Sequence, residues 1–238
     1  MTRSPRLPAS VLFALVAAGT AVPVPAFAAA PKVKQLVVFR SGEAIQRAVS
    51  TRQATVPVGG RRCAAGDGTA LAALVRSKVG RLRLRDFGAC SMRPRDSASL
   101  LVTGIRSNRN RGERGWVYKV GRRAATAGAA DMSGPFGNGR LRAGQRVTWF
   151  YCLRATDCQP TLTVRATPVA GGIVARVSGY DDGGDGGPIA GATVTASGVT
   201  GLTAADGGVE LALPPGTHRV VARKDGLVRS FTERVEVP

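Results

Sequence analysis

Helical periodicity is confined to one short stretch once the first 28 residues are set aside. Thr69 stands where an N-cap is expected, Leu71, Leu74, Val75 and Val79 recur on one face, and Gly80 closes the run. The rest reads as short strands between turn residues, and 31 glycines and 14 prolines are available to make those turns. A chain of 238 residues with one helix must build its core from sheets, so the expected fold class is mainly β.

The strand signals fall into two patterns that change near Pro168. In the first, "KQLVVFR" (34 to 40) and "ATVPV" (54 to 58) are strands, with Gly59-Gly60 a tight turn into "RRCAA". "RLRLRDFGAC" alternates, placing Leu82 and Leu84 on a buried face and Arg81, Arg83 and Arg85 in a solvated row. "SLLVTGI", "GWVYKV" and "QRVTWFYC" follow. The last two are expected to pair, with Trp116, Tyr118 and Val120 in phase with Val147, Trp149 and Tyr151. Between them about twenty residues from Gly121 lack any period, a length that in compact domains marks a functional or mobile loop. The second pattern is a series of short strands. Asp206-Gly207 is expected to close a hairpin, Pro215-Gly216 fits a type II turn, and Val209, Leu211 and Leu213 alternate as an inner sandwich face does. "YDDGGDGGP" reads as a flexible acidic loop at a strand end. As an EF-hand it lacks oxygen ligands at its third and twelfth positions, Gly183 and Ala192.

The N-terminus predicts export. Arg3 and Arg6 precede an apolar run from Val11 to Val22, and Ala26-Phe27-Ala28 offers a small-x-small cleavage site. The run is shorter than the ~20 residues a spanning helix needs, so residues 1 to 28 read as a cleaved Sec-type signal peptide. No membrane span is expected after cleavage. Four cysteines fit an oxidising compartment: Cys63, Cys90, Cys152 and Cys158. Three pairings exist on count alone. Spacing favours Cys152 with Cys158, because "LRATD" between two strand-like runs reads as a five-residue hairpin loop, and that leaves Cys63 with Cys90. Loop entropy gives about 2.4 kcal/mol for the shorter bridge and about 3.6 kcal/mol for the longer. No C-x-x-C occurs and there is one histidine, which excludes a structural zinc set; no metal or cofactor is expected.

The formal charge of +19 is concentrated. Residues 31 to 167 hold 26 basic and 7 acidic side chains, residues 168 to 238 hold 6 and 8. Such a field points to an acidic partner. Of the 34 basic residues 29 are arginine, however, and GC-rich codon usage produces the same excess without function.

Two resemblances follow from these motifs. The helix, the Gly-Trp-x-Tyr-x-Val strand, the Gly-rich loop and "LRAGQRVTWFY" resemble the C-terminal β-domain of the transcobalamin and intrinsic-factor family, in its bacterial secreted branch. Gly121 follows Val120 where that family has Asn, and Gln145 replaces its acidic residue. The resemblance implies an α+β domain over residues 31 to 167, one helix on a twisted, disulfide-stapled sheet, and a ligand-facing role. The set "GPIAGATVTASG", "TAADGG" and "LPPGTHRV" resembles the carboxypeptidase regulatory-like, prealbumin-type family. That implies a Greek-key β-sandwich over residues 168 to 238 with no catalytic residues.

Catalysis is not expected. His218 is the one available base, and it lies in strand phase with Val220 and Ala222 in the second segment. Candidate ligand-binding residues are Arg109, Arg111, Arg114, Arg122 and Arg123 for charge, and Trp116, Tyr118, Phe136 and Trp149 for stacking. Aromatic residues alternating along strands serve a core more often than a ligand. Intracellular nucleic acid is excluded by export. The expected function is a non-enzymatic binding protein of the cell envelope or extracellular space, contacting an acidic polymer or a small ligand. A corrinoid-like ligand and a purely structural surface module are the alternatives, and the oligomeric state is not legible.

Overall fold

A computed structural model describes residues 29–154 and 157–238; the signal peptide expected over residues 1 to 28 lies outside them. The first half comprises β1 (Lys32–Val38), β2 (Ala44–Ser50), β3 (Ala54–Val58), β4 (Arg61–Ala65), α1 (Ala70–Arg76), β5 (Leu82–Asp86), a 3-10 turn (Pro94–Ser97), β6 (Leu100–Ile105), β7 (Asn108–Arg109), β8 (Gly115–Val120), β9 (Arg123–Ala124) and β10 (Arg146–Cys152). The second half comprises β11 (Thr161–Val169), β12 (Gly172–Tyr180), β13 (Gly186–Pro188), β14 (Thr193–Ala196), β15 (Val199–Leu202), β16 (Gly208–Ala212), β17 (Gly216–Arg223) and β18 (Glu233–Val237). The fold is mainly β, with one α-helix among the described residues.

A five-stranded sheet in the order β2-β1-β10-β8-β9 organises the first half. β1 and β10 run parallel, with Val37 opposite Trp149, and the other pairs are antiparallel. β8 and β10 pair in the expected phase, Trp149 opposite Tyr118 and Tyr151 opposite Trp116. One face packs Val33, Val37, Trp116, Tyr118, Val147 and Trp149 beneath α1 and the smaller sheets. The other face packs Leu36, Val38 and Phe150 against Val228 and Phe231 of the second half. Both faces are therefore covered, which is why "LVVF" and "WFY" are continuously apolar instead of alternating.

The helix forms as the pattern predicts at its start and differs at its end. Thr69 Oγ1 accepts the Ala72 N–H at 3.2 Å and donates to Gly66 O at 2.7 Å. The Ser77 N–H bonds back to Ala73 O, and Lys78 at φ +49° takes the left-handed position expected of Gly80. Gly80, also at positive φ, belongs to the following turn beside Arg106.

Three further expectations are corrected by strand pairing. Both bridges form as expected, Cys63–Cys90 and Cys152–Cys158. Cys152 and Cys158 do not flank a hairpin, however, because both edges of β10 are already taken by β1 and β8. The short bridge instead ties the end of the central sheet to the lead-in of β11. β11 runs through Pro168, pairs with β12 along its length, and delivers Leu162 and Val164 to the second core, so the second set of sheets begins at Thr161. Asp206-Gly207 is a turn but closes no hairpin: β15 belongs to the sheet β15-β14-β17-β18, whereas β16 pairs with β12 in the other. The Pro215-Gly216 turn crosses in the same way, from β16 to β17. These crossings close a sandwich whose inner faces carry Val177, Val194, Leu211, Leu213 and Val220.

The long segment after Gly121 is pinned to the helix. The Leu71 N–H, one of the orphan donors of the first helical turn, reaches Ala129 O at 2.8 Å, and the Leu141 N–H reaches Gly68 O at 2.8 Å. Ala130 and Leu141 are buried beneath it. The φ of Gly134 is +87°, and a Cβ there would fall 1.8 Å from Gly139 O, so the tight return in this segment requires glycine.

Candidate binding surface

The strand β8 carries most of the sequence-predicted site residues, and the structure separates them by face and by end. Trp116, Tyr118 and Trp149 lie together on the inner face. Trp116 meets Phe39 and Tyr151 edge-on, at 5.7 and 6.0 Å between centroids, and its indole N–H donates to Asn108 O. Tyr118 stacks on Trp149 at 5.0 Å, and its hydroxyl donates to Ala127 O at 2.9 Å. Burial, then the charge of Asp131, pushes the Tyr118 hydroxyl well above its ordinary pKa, so it remains a neutral donor. All three rings line a cavity of about 230 Å³ between β6, β8 and the Ala124–Ala129 segment. That volume lies below the ~300–1,000 Å³ of typical small-molecule sites.

The arginines do not form one rim. Arg111 and Arg114 bracket the exposed turn before β8 and bond to each other through their backbones. Arg122 and Arg123 lie past the far end of β8, about 20 Å away for a strand of this length. There Arg122 sits over the Tyr180 ring at 4.3 Å and Arg123 over Phe136 at 5.3 Å. Phe136 thus stacks on an arginine of its own chain. Arg109 stands elsewhere again, on the three-stranded sheet β5-β6-β7, where it pairs with Gly104.

Lys119, to which the sequence pattern assigned no role, is the one lysine or arginine that is fully buried among the described residues. It points to the face opposite Trp116 and Tyr118 and is 1% exposed. Its Nζ donates to Tyr180 O at 3.1 Å and to Asp181 O at 2.6 Å, and lies 3.0 Å from Asp182 Oδ1. The second Asp182 oxygen accepts the Cys158 N–H, and Asp182 O accepts the Ala124 N–H. Asp181 Oδ1 meanwhile accepts the N–H groups of Gly184 and Asp185. The acidic segment expected to be a flexible solvated loop is therefore a cover for a buried lysine, ordered because that lysine needs acceptors. The sequence signal was a lone Lys inside "WVYKV", out of phase with the aromatics.

Asp86 fixes the other disulfide. Its carboxylate accepts from the Cys90 and Gly88 N–H groups and from Ser99 Oγ, and Arg61 lies 3.3 Å away. These partners, the Cys90 N–H first, hold its pKa below the ordinary carboxylate value, although burial pushes the other way. A carboxyl depressed in the folded state contributes stability above its unfolded pKa of about 3.9, and that contribution is lost as pH falls through the folded value. In urea titrations the wild-type midpoint should drop as pH is lowered from about 5 towards 2. Asp86→Asn should start lower at neutral pH and lose less over the same interval. Equal acid slopes for the two proteins would rule out this role.

His218 is buried in the second half with Nε2 2.7 Å from Pro214 O, in a strand between sandwich faces. Among the described residues no cluster of His, Cys, Asp and Glu suits a metal, and no helix is long and apolar enough to cross a membrane. No protein-family model matches the chain, and no curated protein matches its sequence.

Proposed function

We propose that this is an exported, non-enzymatic binding protein whose first half holds an acidic polymer of the cell envelope or extracellular space. One observation carries the reading: the charge of residues 31 to 167 is mostly unneutralised within the fold. Among the described residues only Arg61, Arg95, Arg106, Lys119 and Arg146 of its 26 basic side chains have a carboxylate within 4.0 Å. Unpaired like charges within one half of the chain repel, and a polyanion relieves that repulsion while releasing its own counterions. The transcobalamin-type and prealbumin-type resemblances support a division into a ligand-facing half and a spacing or docking half. Nothing observed favours corrinoid stacking, since the Trp116 and Trp149 rings are occupied by other rings.

Retention on immobilised anionic cell-wall polymer tests the proposal. With about four arginine contacts at roughly −0.7 each in the log–log salt slope, affinity should fall about fifty-fold between about 50 and about 200 mM salt. Retention that is absent, or indifferent to salt, would overturn it and leave a structural module.

A further inference from the structure

Cross-strand register brings together two arginines that lie 26 positions apart in sequence. In the sheet β5-β6-β7, Gly104 on the middle strand is opposite Arg83 on one side and Arg109 on the other. A Cβ at Gly104 would lie 3.2 Å from Arg83 Cδ and 3.5 Å from Arg109 Cγ, so both side-chain stems lean over the glycine. The ladder shifts between Arg83 and Leu84, where Thr103 is the extra residue of a bulge in β6, and that bulge turns Gly104 to lie opposite Arg83. Among the described residues none of Arg81, Arg83, Arg85 and Arg109 has a carboxylate partner or a side-chain hydrogen bond. Arg83 Nε is moreover buried with no acceptor. Asp86, on the same strand, faces inward and is occupied by Cys90, Gly88, Ser99 and Arg61. Burial first, and then the like charges of Arg109 and Arg81, lower the pKa of the Arg83 guanidinium.

The geometry points to a discrete oxyanion subsite in which Arg83 and Arg109 clamp one phosphate, sulfate or carboxylate group across Gly104. Two guanidinium forks side by side match the oxygens of such a group in a way that two ammonium groups would not. Gly104 leaves open the space over which the two stems lean, since a Cβ there would press on Arg83 Cδ and touch Arg109 Cγ. Exposed Leu101 lies opposite Arg85, two register pairs from Arg83 and Gly104, and Arg85 covers the exposed Phe87 ring at 4.6 Å. The subsite therefore adjoins an apolar shelf that the uncharged part of a repeating unit can rest on.

This inference rests on the acidic-polymer reading for its natural ligand, and the experiment separates the two. Arginine Nε–H resonances of the wild-type protein are followed during titration with inorganic phosphate at constant ionic strength. The Arg83 signal should shift saturably, whereas the Arg111 and Arg114 signals should stay in place. Retention on polyphosphate is then compared for two variants of equal charge, Arg83→Gln/Arg109→Gln and Arg111→Gln/Arg114→Gln. The first pair should weaken binding at least tenfold more than the second. Dextran sulfate and polyglutamate in place of polyphosphate identify the preferred group. Equal losses for the two pairs, with no saturable Arg83 shift, would overturn the subsite and leave the polymer reading standing. A saturable Arg83 shift without polymer retention would uphold the subsite and overturn the polymer reading.

Discussion

Replacing Lys119 by methionine should cost about 3 kcal/mol and uncouple the two halves of the molecule. The lysine stem fills a fully buried place on the central sheet, and methionine fills most of it, so the loss is electrostatic. Removing one member of a buried ion pair costs roughly 3–5 kcal/mol because its partner stays behind without compensation. Asp182 keeps 31% exposure, and water can solvate part of its freed charge, which places the expected value at the low end. Two carbonyls, Tyr180 O and Asp181 O, also lose their donor. Asp182→Asn on the same background should recover part of the loss by removing the stranded charge. Arg176→Gln makes a useful contrast: its pair with Asp206 is 66% and 62% exposed, and exposed pairs contribute about 0–1 kcal/mol.

The uncoupling has its own readout. Both tryptophans lie in the first half, so indole fluorescence reports that half alone, while far-ultraviolet circular dichroism reports every strand. In wild type the two unfolding curves should coincide, because Leu36, Val38 and Phe150 share a core with Val228 and Phe231, and Gln46 exchanges two hydrogen bonds with Thr232. In Lys119→Met they should separate. Coincident curves with an unchanged midpoint would show that the lysine is incidental to the junction.

The same lysine marks where the sequence stopped being readable. Phase along "GWVYKV" correctly set Trp116 and Tyr118 on one face, and pairing with "VTWFYC" followed, but it gave no role to Lys119. An alternating strand places its polar residue in water by default, yet here the polar face is covered by residues 180 to 182 and 228 to 231. That cover comes from far along the chain, and periodicity is a local signal that carries no information about it. One trace was present: the short apolar runs "LVVF", at the end of β1, and "WFY", in β10, which signify a sheet buried on both sides. The alternation in "RLRLRD" set Arg83 on the face opposite Leu82 and Leu84 and expected it solvated, whereas it is half-buried, and placing it beside Arg109 required the register of two hairpins and a bulge. Turn residues were legible as turns and not as hairpins, because Asp-Gly and Pro-Gly specify local backbone shape while the choice of sheet depends on which edge is free.

Trp149→Ala should destabilise the first half by about 3–5 kcal/mol, the range for removing a buried large aromatic. Trp149 is 1% exposed at the centre of the sheet, and the Tyr118 ring stacked on it would face a void. Its indole N–H has no acceptor, so phenylalanine keeps a ring against Tyr118 and forfeits no hydrogen bond. Trp149→Phe should therefore cost less than about 1.5–2 kcal/mol. Both values can be read from urea unfolding followed by circular dichroism. The pair of variants also decides between the two roles the sequence left open for this residue. If Trp149 belongs to the core, both variants retain polymer binding at temperatures where they are folded, and Trp149→Ala is the less stable. If it contacts ligand, Trp149→Phe will lose binding while keeping its stability, and the assignment of the charged sheet β5-β6-β7 as the binding face would have to give way to the cavity beside β8.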